Sequence, residues 1–506
     1  MKGHAGSKLI AYRLPRHSAV KVINFYRMIL HFFWFAIHNF TKFALSISIM
    51  SKIFEYTYSY SLVREYLLFG FRQFYGEIIV NGKENLPDDD SAVIFAPNHL
   101  NALMDALAVS SIMPKRRAVV YLARADLFAS KTLAKWMHFA KIMPAFRMRD
   151  GFENLGKNNR IFYECIEVMR FGHAVCIMPE GGQGEEHKIR PLVKGIFRLA
   201  FEAQKEFGDD RKVKIVPIGI DMGDLIKAGK HIIINVGEPI EVDDYMEQFQ
   251  ENAPGAMNEI RSELHQRLSD LTLDLATSQN YDTFETITDI MAEEYVEDVK
   301  KGKATNEKFR LKQSAARVLV DIEKNDPNLM ADLNRLTQNY KSLLKSTYFK
   351  SKIFSQLKSD ETSFSRFFSL LITLPVALFG FITNFLPTFL PVWIRKAIVI
   401  EYSGFHSSIH YGLGMILFPI LYILQAIIFH LTISPNWGMT LIFLVLQFFT
   451  RQFSMKWYSN LMKYSHKIRF NSLLVAKLEQ STMLYKLIEA RNRIVHRIKT
   501  RSGQND

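Results

Sequence analysis

The chain predicts an α/β domain with a mixed, mostly buried sheet flanked by helices, followed by a helical spacer and C-terminal membrane helices. Three observations carry this. Short apolar runs alternate with helical patterns from about Val63 to Pro239. Residues 240–360 are charged and helical in pattern, without strand-like text. From Phe367 the chain becomes apolar enough to meet a bilayer. At 506 residues it exceeds one typical core, so several units are expected.

The first unit, residues 1–60, carries no Asp or Glu before residue 51 but holds Lys2, Lys8, Arg13, Arg16, Lys21, Arg27 and Lys42. Its apolar stretch from Met28 to Met50 is interrupted by His31, His38, Asn39 and Lys42. Such a segment is expected to lie in the membrane interface rather than to span simply. No small-residue cleavage site follows it, which argues against a secretory signal.

Residues 61–245 hold the α/β unit. EIIVNG, SAVIFAPN, RAVVYLARA, FAKIMPAF, HAVCIMPE, VKIVPIGI and HIIINVGEPI read as strands. LMDALAVSSIM, ASKTLAKWMHF, NLGKNNRIFYECIEVMRFG and LVKGIFRLAFEAQKEFG read as the helices between them. Strictly interleaved elements of this kind need a sheet with helices covering it.

Residues 246–360 contain NEIRSELHQRLSDLTLDLA and FRLKQSAARVLVDIEK, both amphipathic at helical spacing. Asp326-Pro327 separates the latter from LMADLNRLTQNYKSLLKS. Solvated helices packed on the α/β unit, or a spacer, are expected.

Residues 361–453 form the membrane region. FFSLLITLPVALFGFITNFLPTFLPVWI is long enough to span but holds Pro375, Asn384, Pro387 and Pro391, and a re-entrant segment is expected. GLGMILFPILYILQAIIFHLTI and GMTLIFLVLQFF, joined by the uncharged SPNW, read as a helical hairpin. Arg395 and Lys396 flank it on one side, and Arg451, Lys456, Lys463, Lys467 and Arg469 on the other. Both ends should then face the cytoplasm. The tail, residues 454–506, is basic and amphipathic and is expected to lie on anionic headgroups.

Composition narrows the function. The net charge is +14, the pI about 9.4, and there are 40 Phe against 5 Trp. Basic charge beside long apolar segments favours an anionic membrane surface. No zinc-ligand spacing or other nucleic-acid signature accompanies it, so no nucleic-acid partner is expected. Cys165 and Cys176 both sit in apolar segments, which points to buried thiols in a reducing compartment.

Chemistry concentrates in four stretches. APNHLNALMDAL (96–107) leaves a buried strand through Asn98 and His99 and enters a helix. With Asn101 as the cap, Asp105 falls in the first turn, where the helix dipole favours a carboxylate. His99 is then in reach of Asp105. A carboxylate on one imidazole nitrogen fixes the tautomer and leaves the other as a base. Histidine titrates near about 6.5, which suits taking a proton from an alcohol. KIMPAFRMRDG ends a strand with Arg147 and Arg149, and guanidinium groups are well suited to phosphate. CIMPEGGQGEEHKIRPLVKG leaves another strand through Glu180, Gly181 and Gly182, with Lys188, Arg190 and Lys194 beyond. Glycines there permit close backbone approach. VKIVPIGIDM repeats the strand-then-Pro-then-Gly exit.

Together and in this order, the four stretches resemble the glycerolipid acyltransferase family, over roughly residues 75–240. The Asn-His…Asp block is matched by Asn98, His99 and Asp105, with five residues between His and Asp where the family usually has four. The Pro-Glu-Gly-Thr-Arg block is matched only as far as Gly181, because Gly182 and Gln183 replace Thr and Arg. Both departures resemble the fungal-type glycerol-3-phosphate/dihydroxyacetone phosphate acyltransferase branch. The resemblance implies acyl transfer from acyl-CoA or acyl carrier protein to a phosphoglycerol hydroxyl, in phospholipid biosynthesis at a membrane. It implies His99 as base, Asp105 as its orienting partner and Arg147, with Arg149 or Lys194, on the phosphate. Glu180 with Gly181 and Gly182 would shape the acceptor site, with Asn98 beside it. No metal and no cofactor beyond the acyl donor are expected. A non-catalytic lipid-binding or scaffolding protein on the same fold is the alternative. A hydrolase is disfavoured, since no Gly-x-Ser-x-Gly stretch appears.

Overall fold

The computed structural model describes residues 52–114, 117–146, 156–277, 279–294, 301–346, 364–398, 403–475 and 479–502. The expectations for Met28–Met50, Arg147 and Arg149 fall outside them.

A helix α1 (Tyr58–Phe74), capped by the Thr57 hydroxyl accepting from the Tyr60 N–H at 3.2 Å, leads into the sheet. The α/β unit then runs β1 (Glu77–Asn81), β2 (Ala92–Pro97), α2 (Ala102–Ile112), β3 (Val119–Arg124), α3 (Lys131–Phe139), β4 (Ile142–Ala145), α4 (Lys157–Arg170), β5 (Ala174–Cys176), α5 (Gly195–Phe207), β6 (Val213–Met222), β7 (His231–Val236) and β8 (Ile240–Glu241). The strand order is β1-β7-β6-β2-β5-β3-β4, with β8 also paired to β6. All pairings are parallel except β6 with β7 and with β8. The mixed sheet expected from the sequence is thus present, and every expected strand lies in it.

Both faces are covered, which is why β2 is buried at all six positions. On one face α1 and α2 pack through Leu68, Phe71, Phe74, Met104 and Ala108. On the other lie α4, α5 and, after the short α6 (Met246–Glu251), α7 (Ala253–Leu271), through Phe162, Phe197, Ile260 and Leu264. Cys165 and Cys176 are free and buried, as their apolar surroundings indicated.

A second core follows, built from α8 (Tyr281–Glu293), α9 (Lys301–Asn325), α10 (Pro327–Ser346) and the last helix. The apolar segment that follows comprises α11 (Phe364–Ala397), α12 (Gly404–Thr432) and α13 (Trp437–Val475); α14 (Glu479–Ser502) ends the described chain. Two expectations are corrected here. The segment expected to be re-entrant is one continuous helix, α11, with Pro375, Pro387 and Pro391 inside it. Among apolar neighbours a helix keeps its remaining backbone bonds rather than exposing them, so proline bends it without ending it. The tail helix does not present its apolar face outward. Leu484, Leu487 and Ile494 of α14 are buried in the second core, and Arg491, Arg497 and Arg501 meet Glu294, Asp332 and Asp321. Those three arginines of α14 thus face acidic side chains of α9 and α10 and Glu294 just after α8.

α11 and α12 are long and apolar enough to cross a membrane. They meet α13 at Asn384. Its amide donates to Gln447 O at 3.0 Å and to Gly380 O at 2.9 Å, while its oxygen accepts from the Tyr422 hydroxyl. Asn384→Leu is expected to destabilise the detergent-solubilised protein by about 1–3 kcal/mol, because Tyr422 is left unpaired in an apolar setting. Thermal unfolding checks this, and Tyr422→Phe on the Asn384→Leu background should then cost little more.

Candidate functional site

β2 and β5 are parallel neighbours, so the loops that leave their C-terminal ends emerge side by side, where open α/β sheets place their sites. The β2 loop carries Asn98, His99 and Asn101; the β5 loop carries Glu180, Gly181 and Gly182. β4 runs in the same direction and ends at Ala145, two residues before Arg147.

His99 Nδ1 lies 2.9 Å from Asp105 Oδ2, and Asp105 is 0% exposed. The same carboxylate oxygen accepts the Asn101 N–H at 2.7 Å. The anion therefore orders the loop and the ring at once. With Nδ1–H donating to the carboxylate, Nε2 remains as a proton acceptor on a partly exposed ring. Burial, and then the Asp105 charge, hold the Tyr75 hydroxyl and the Cys176 thiol well above their usual range.

The β5 loop is tied to the β2 loop through Glu180. Its carboxylate accepts the His99 backbone N–H at 2.9 Å through one oxygen and Arg190 Nε at 2.7 Å through the other. Arg190 reaches back to Gly182 O, and the Gly184 N–H donates to His99 O at 3.1 Å. Glu180 was expected to face an acceptor; its carboxylate is instead engaged by the protein and fixes the backbone of His99. Gly181 has φ +65°, and a Cβ there would stand 2.8 Å from Val193 Cγ1, so the turn requires glycine. Gly182 has no such constraint. Lys194 sits at the start of α5 with its side chain exposed, just beyond Val193, whose N–H donates to Pro179 O at 2.7 Å.

Two asparagines also differ from expectation. Asn98 is buried, with its amide donating to Ile220 O at 3.1 Å and its oxygen accepting the Ile220 N–H at 2.7 Å. Both functions join β2 to β6, and none faces the loop crevice. Asn101 precedes α2 but makes no side-chain cap. Its amide donates to Ser407 Oγ at 2.5 Å, and its oxygen accepts from Ser408 Oγ at 3.0 Å, both on α12. The capping falls to Ser408, whose hydroxyl accepts the Leu103 N–H at 3.2 Å. Gly404 completes the seat, since a Cβ there would overlap Leu100 O and the Gln183 amide. Sequence reasoning missed Gly404, Ser407 and Ser408. Their only signal is a small, polar opening to an apolar helix.

A family model described as Acyltransferase matches residues 77–221, the span that holds both loops. The chain is 23% identical over 162 residues to the chloroplastic 1-acyl-sn-glycerol-3-phosphate acyltransferase BAT2 of Brassica napus, covering 31% of this chain and 42% of that one. It is 23% identical over 164 residues to the chloroplastic 1-acyl-sn-glycerol-3-phosphate acyltransferase LPAT1 of Arabidopsis thaliana, covering 32% and 41%. Tafazzin of Drosophila melanogaster is 24% identical over 156 residues, covering 28% and 38%. The chain thus spans about two fifths of the length of these curated relatives. The crystal structure of the 1-acyl-sn-glycerophosphate (LPA) acyltransferase PlsC from Thermotoga maritima superposes with a TM-score of 0.31 at 16% identity, covering 48% of this chain and 94% of that one. The sequence matches support a glycerolipid acyltransferase family for the α/β unit.

Ser408→Ala removes the acceptor for the Leu103 N–H. Hydrogen exchange of residues 99–105 is expected to quicken about tenfold, while β2 keeps its protection. Mass-spectrometric exchange of the intact chain checks this.

Proposed function

We propose that the protein transfers an acyl chain from acyl-CoA or acyl carrier protein to a hydroxyl of a phosphorylated glycerol acceptor at a membrane. The observation that carries this is the His99–Asp105 pair at 2.9 Å, set in a domain matched by the acyltransferase model. His99 Nε2 takes the proton of the acceptor hydroxyl as its oxygen attacks the thioester carbonyl. Asp105 stabilises the imidazolium that forms. Collapse of the tetrahedral intermediate breaks the C–S bond, and the imidazolium returns its proton to the leaving thiolate. One ester forms, one thioester breaks, and no covalent enzyme intermediate is needed. Glu180 and Arg190 hold the His99 backbone in place for this step. Arg147, with Arg149 or Lys194, neutralises the acceptor's phosphate.

The acceptor is glycerol-3-phosphate or a close relative. The longer His–Asp spacing and the Gly182-Gln183 replacement favour the fungal-type branch in this reading. Membrane seating fits a lipid product: α11, α12 and α13 expose Ile372, Ile382, Ile423, Leu441 and Phe449. Phe69 of α1 stacks on Phe448 at 5.9 Å, which extends that apolar surface to the catalytic unit. In this reading the basic residues around the hairpin favour a catalytic unit on the cytoplasmic side.

Parallel assays with labelled acyl-CoA against glycerol-3-phosphate, dihydroxyacetone phosphate and lysophosphatidic acid test the reading. Transfer to at least one is expected, and transfer to none contradicts it. His99→Ala should lower kcat about 10²–10⁴-fold in a folded, membrane-bound protein; near-native turnover would favour a role without this base. Arg147→Ala should raise the acceptor KM much more than the donor KM, since it removes a ground-state ionic contact. A selective effect on the donor would assign the cation to the wrong substrate.

A further inference from the structure

Residues 177–194, the β5 loop, contain no helix or strand. A stretch of this length inside a packed unit needs its backbone groups met by other parts of the chain. Its first part is met by the β2 loop, through Glu180 and Gly184. Its second part is met from beyond the sheet, by residues 272–277 between α7 and α8 and by the first residue of α8. The His187 N–H donates to the Tyr281 hydroxyl at 2.9 Å, and His187 O accepts the Leu275 N–H at 2.7 Å. The Ile189 N–H donates to Asp274 Oδ1 at 3.2 Å, and Lys188 Nζ to Thr277 O at 3.2 Å. Both backbone groups of His187 and the N–H of Ile189 are thus clamped.

The clamp is itself anchored. In Thr272-Leu273-Asp274-Leu275 polar and apolar residues alternate, as along a strand. Leu273 and Leu275 are buried in the second core, while Asp274 between them turns to the loop. The other oxygen of Asp274 accepts from Ser269 Oγ of α7 at 2.7 Å, and Thr277 Oγ1 donates to Glu323 of α9 at 2.7 Å. Two consecutive residues carry the restraint to the site. The Ile189 N–H goes to Asp274, whereas the Arg190 N–H and Nε go to Glu180 Oε2 at 3.3 and 2.7 Å. The second oxygen of Glu180 holds the His99 N–H. One peptide unit and three hydrogen bonds therefore separate Asp274 from the backbone of His99.

We propose that Asp274 and Tyr281 are positioning residues for acyl transfer: they fix the β5 loop so that Glu180 meets the His99 backbone at a set place. The chain between α7 and α8 is then part of the support of the base rather than a spacer. What that support serves rests on the acyltransferase reading, whereas the clamp itself rests on its hydrogen bonds.

Hydrogen exchange and kinetics of the full chain in phosphatidylcholine nanodiscs, measured side by side, test this. In Asp274→Ala/Tyr281→Phe, exchange should quicken about fivefold at residues 99–105 as well as at 180–190, while β2 keeps its protection. Its kcat should fall about tenfold with the donor and acceptor KM values unchanged, since no substrate contact is removed. Asp274→Asn keeps an oxygen for the Ile189 N–H and should stay close to wild type in both measurements. Tyr281→Phe removes one oxygen and keeps the ring, so it carries the test should the double variant fail to fold. It should show the same pattern at smaller size. Leu333→Val, in the second core, should lower the thermal midpoint while leaving kcat and exchange at 99–105 unchanged. Faster exchange confined to 180–190 would overturn the proposal, as would faster exchange at 99–105 with kcat intact. So would equal losses in Asp274→Asn and Asp274→Ala, or a loss of kcat in Leu333→Val as large as in the double variant. If the wild type transfers no acyl group, the exchange results still decide the clamp and the enzymatic reading alone fails.

Discussion

The Asp105 carboxylate is a charge with no access to water, and the geometry around it follows from keeping that charge compensated. Here one oxygen receives both the His99 ring and the Asn101 N–H. Those two donors lie on the loop between β2 and α2, so the same charge that orients the imidazole also shapes the loop that carries it. Any movement of Asn101 is felt by the ring through a shared oxygen.

Two distant pieces of chain keep that loop still. From one side comes the β5 loop, where Glu180 receives the His99 backbone N–H and is itself held by Arg190. From the other comes α12, where Ser407 and Ser408 engage the Asn101 side chain and Gly404 lets the helix approach Leu100. The apolar helices are therefore in direct contact with the α/β unit. Their first polar turn is part of the support of the His99 loop, so the position of α12 and the geometry of the His99–Asp105 pair are mechanically linked.

The strands were legible because each is a short run of apolar side chains bounded by polar or glycine residues, as SAVIFAPN shows. His99 and Asp105 were legible because their meeting is local, within one loop and one helical turn. The sequence pattern points Asn98 and Glu180 at an acceptor and Asn101 at a helix cap, but the protein engages each of them elsewhere. Their partners lie at Ile220, at Ser407 and Ser408, and at Arg190 with the His99 backbone. No local pattern encodes such pairings. The prolines of α11 misled for a different reason: they weaken a helix in water but only bend it among apolar neighbours. In the tail, the basic stripe was visible, but Glu294, Asp321 and Asp332, which meet it, lie more than 150 residues earlier.

The proposed reaction is direct transfer, with His99 as base and no acyl group on the protein. A single-turnover experiment with labelled acyl-CoA addresses it most directly. The wild-type protein is mixed with the donor, first without and then with the phosphoglycerol acceptor. Protein-bound label, free thiol and labelled lipid are then followed together. Direct transfer predicts no protein-bound label and no thiol release until acceptor is added, and then thiol and ester in equal amounts. Denaturation-stable label on the protein, or thiol released before the acceptor arrives, would contradict it.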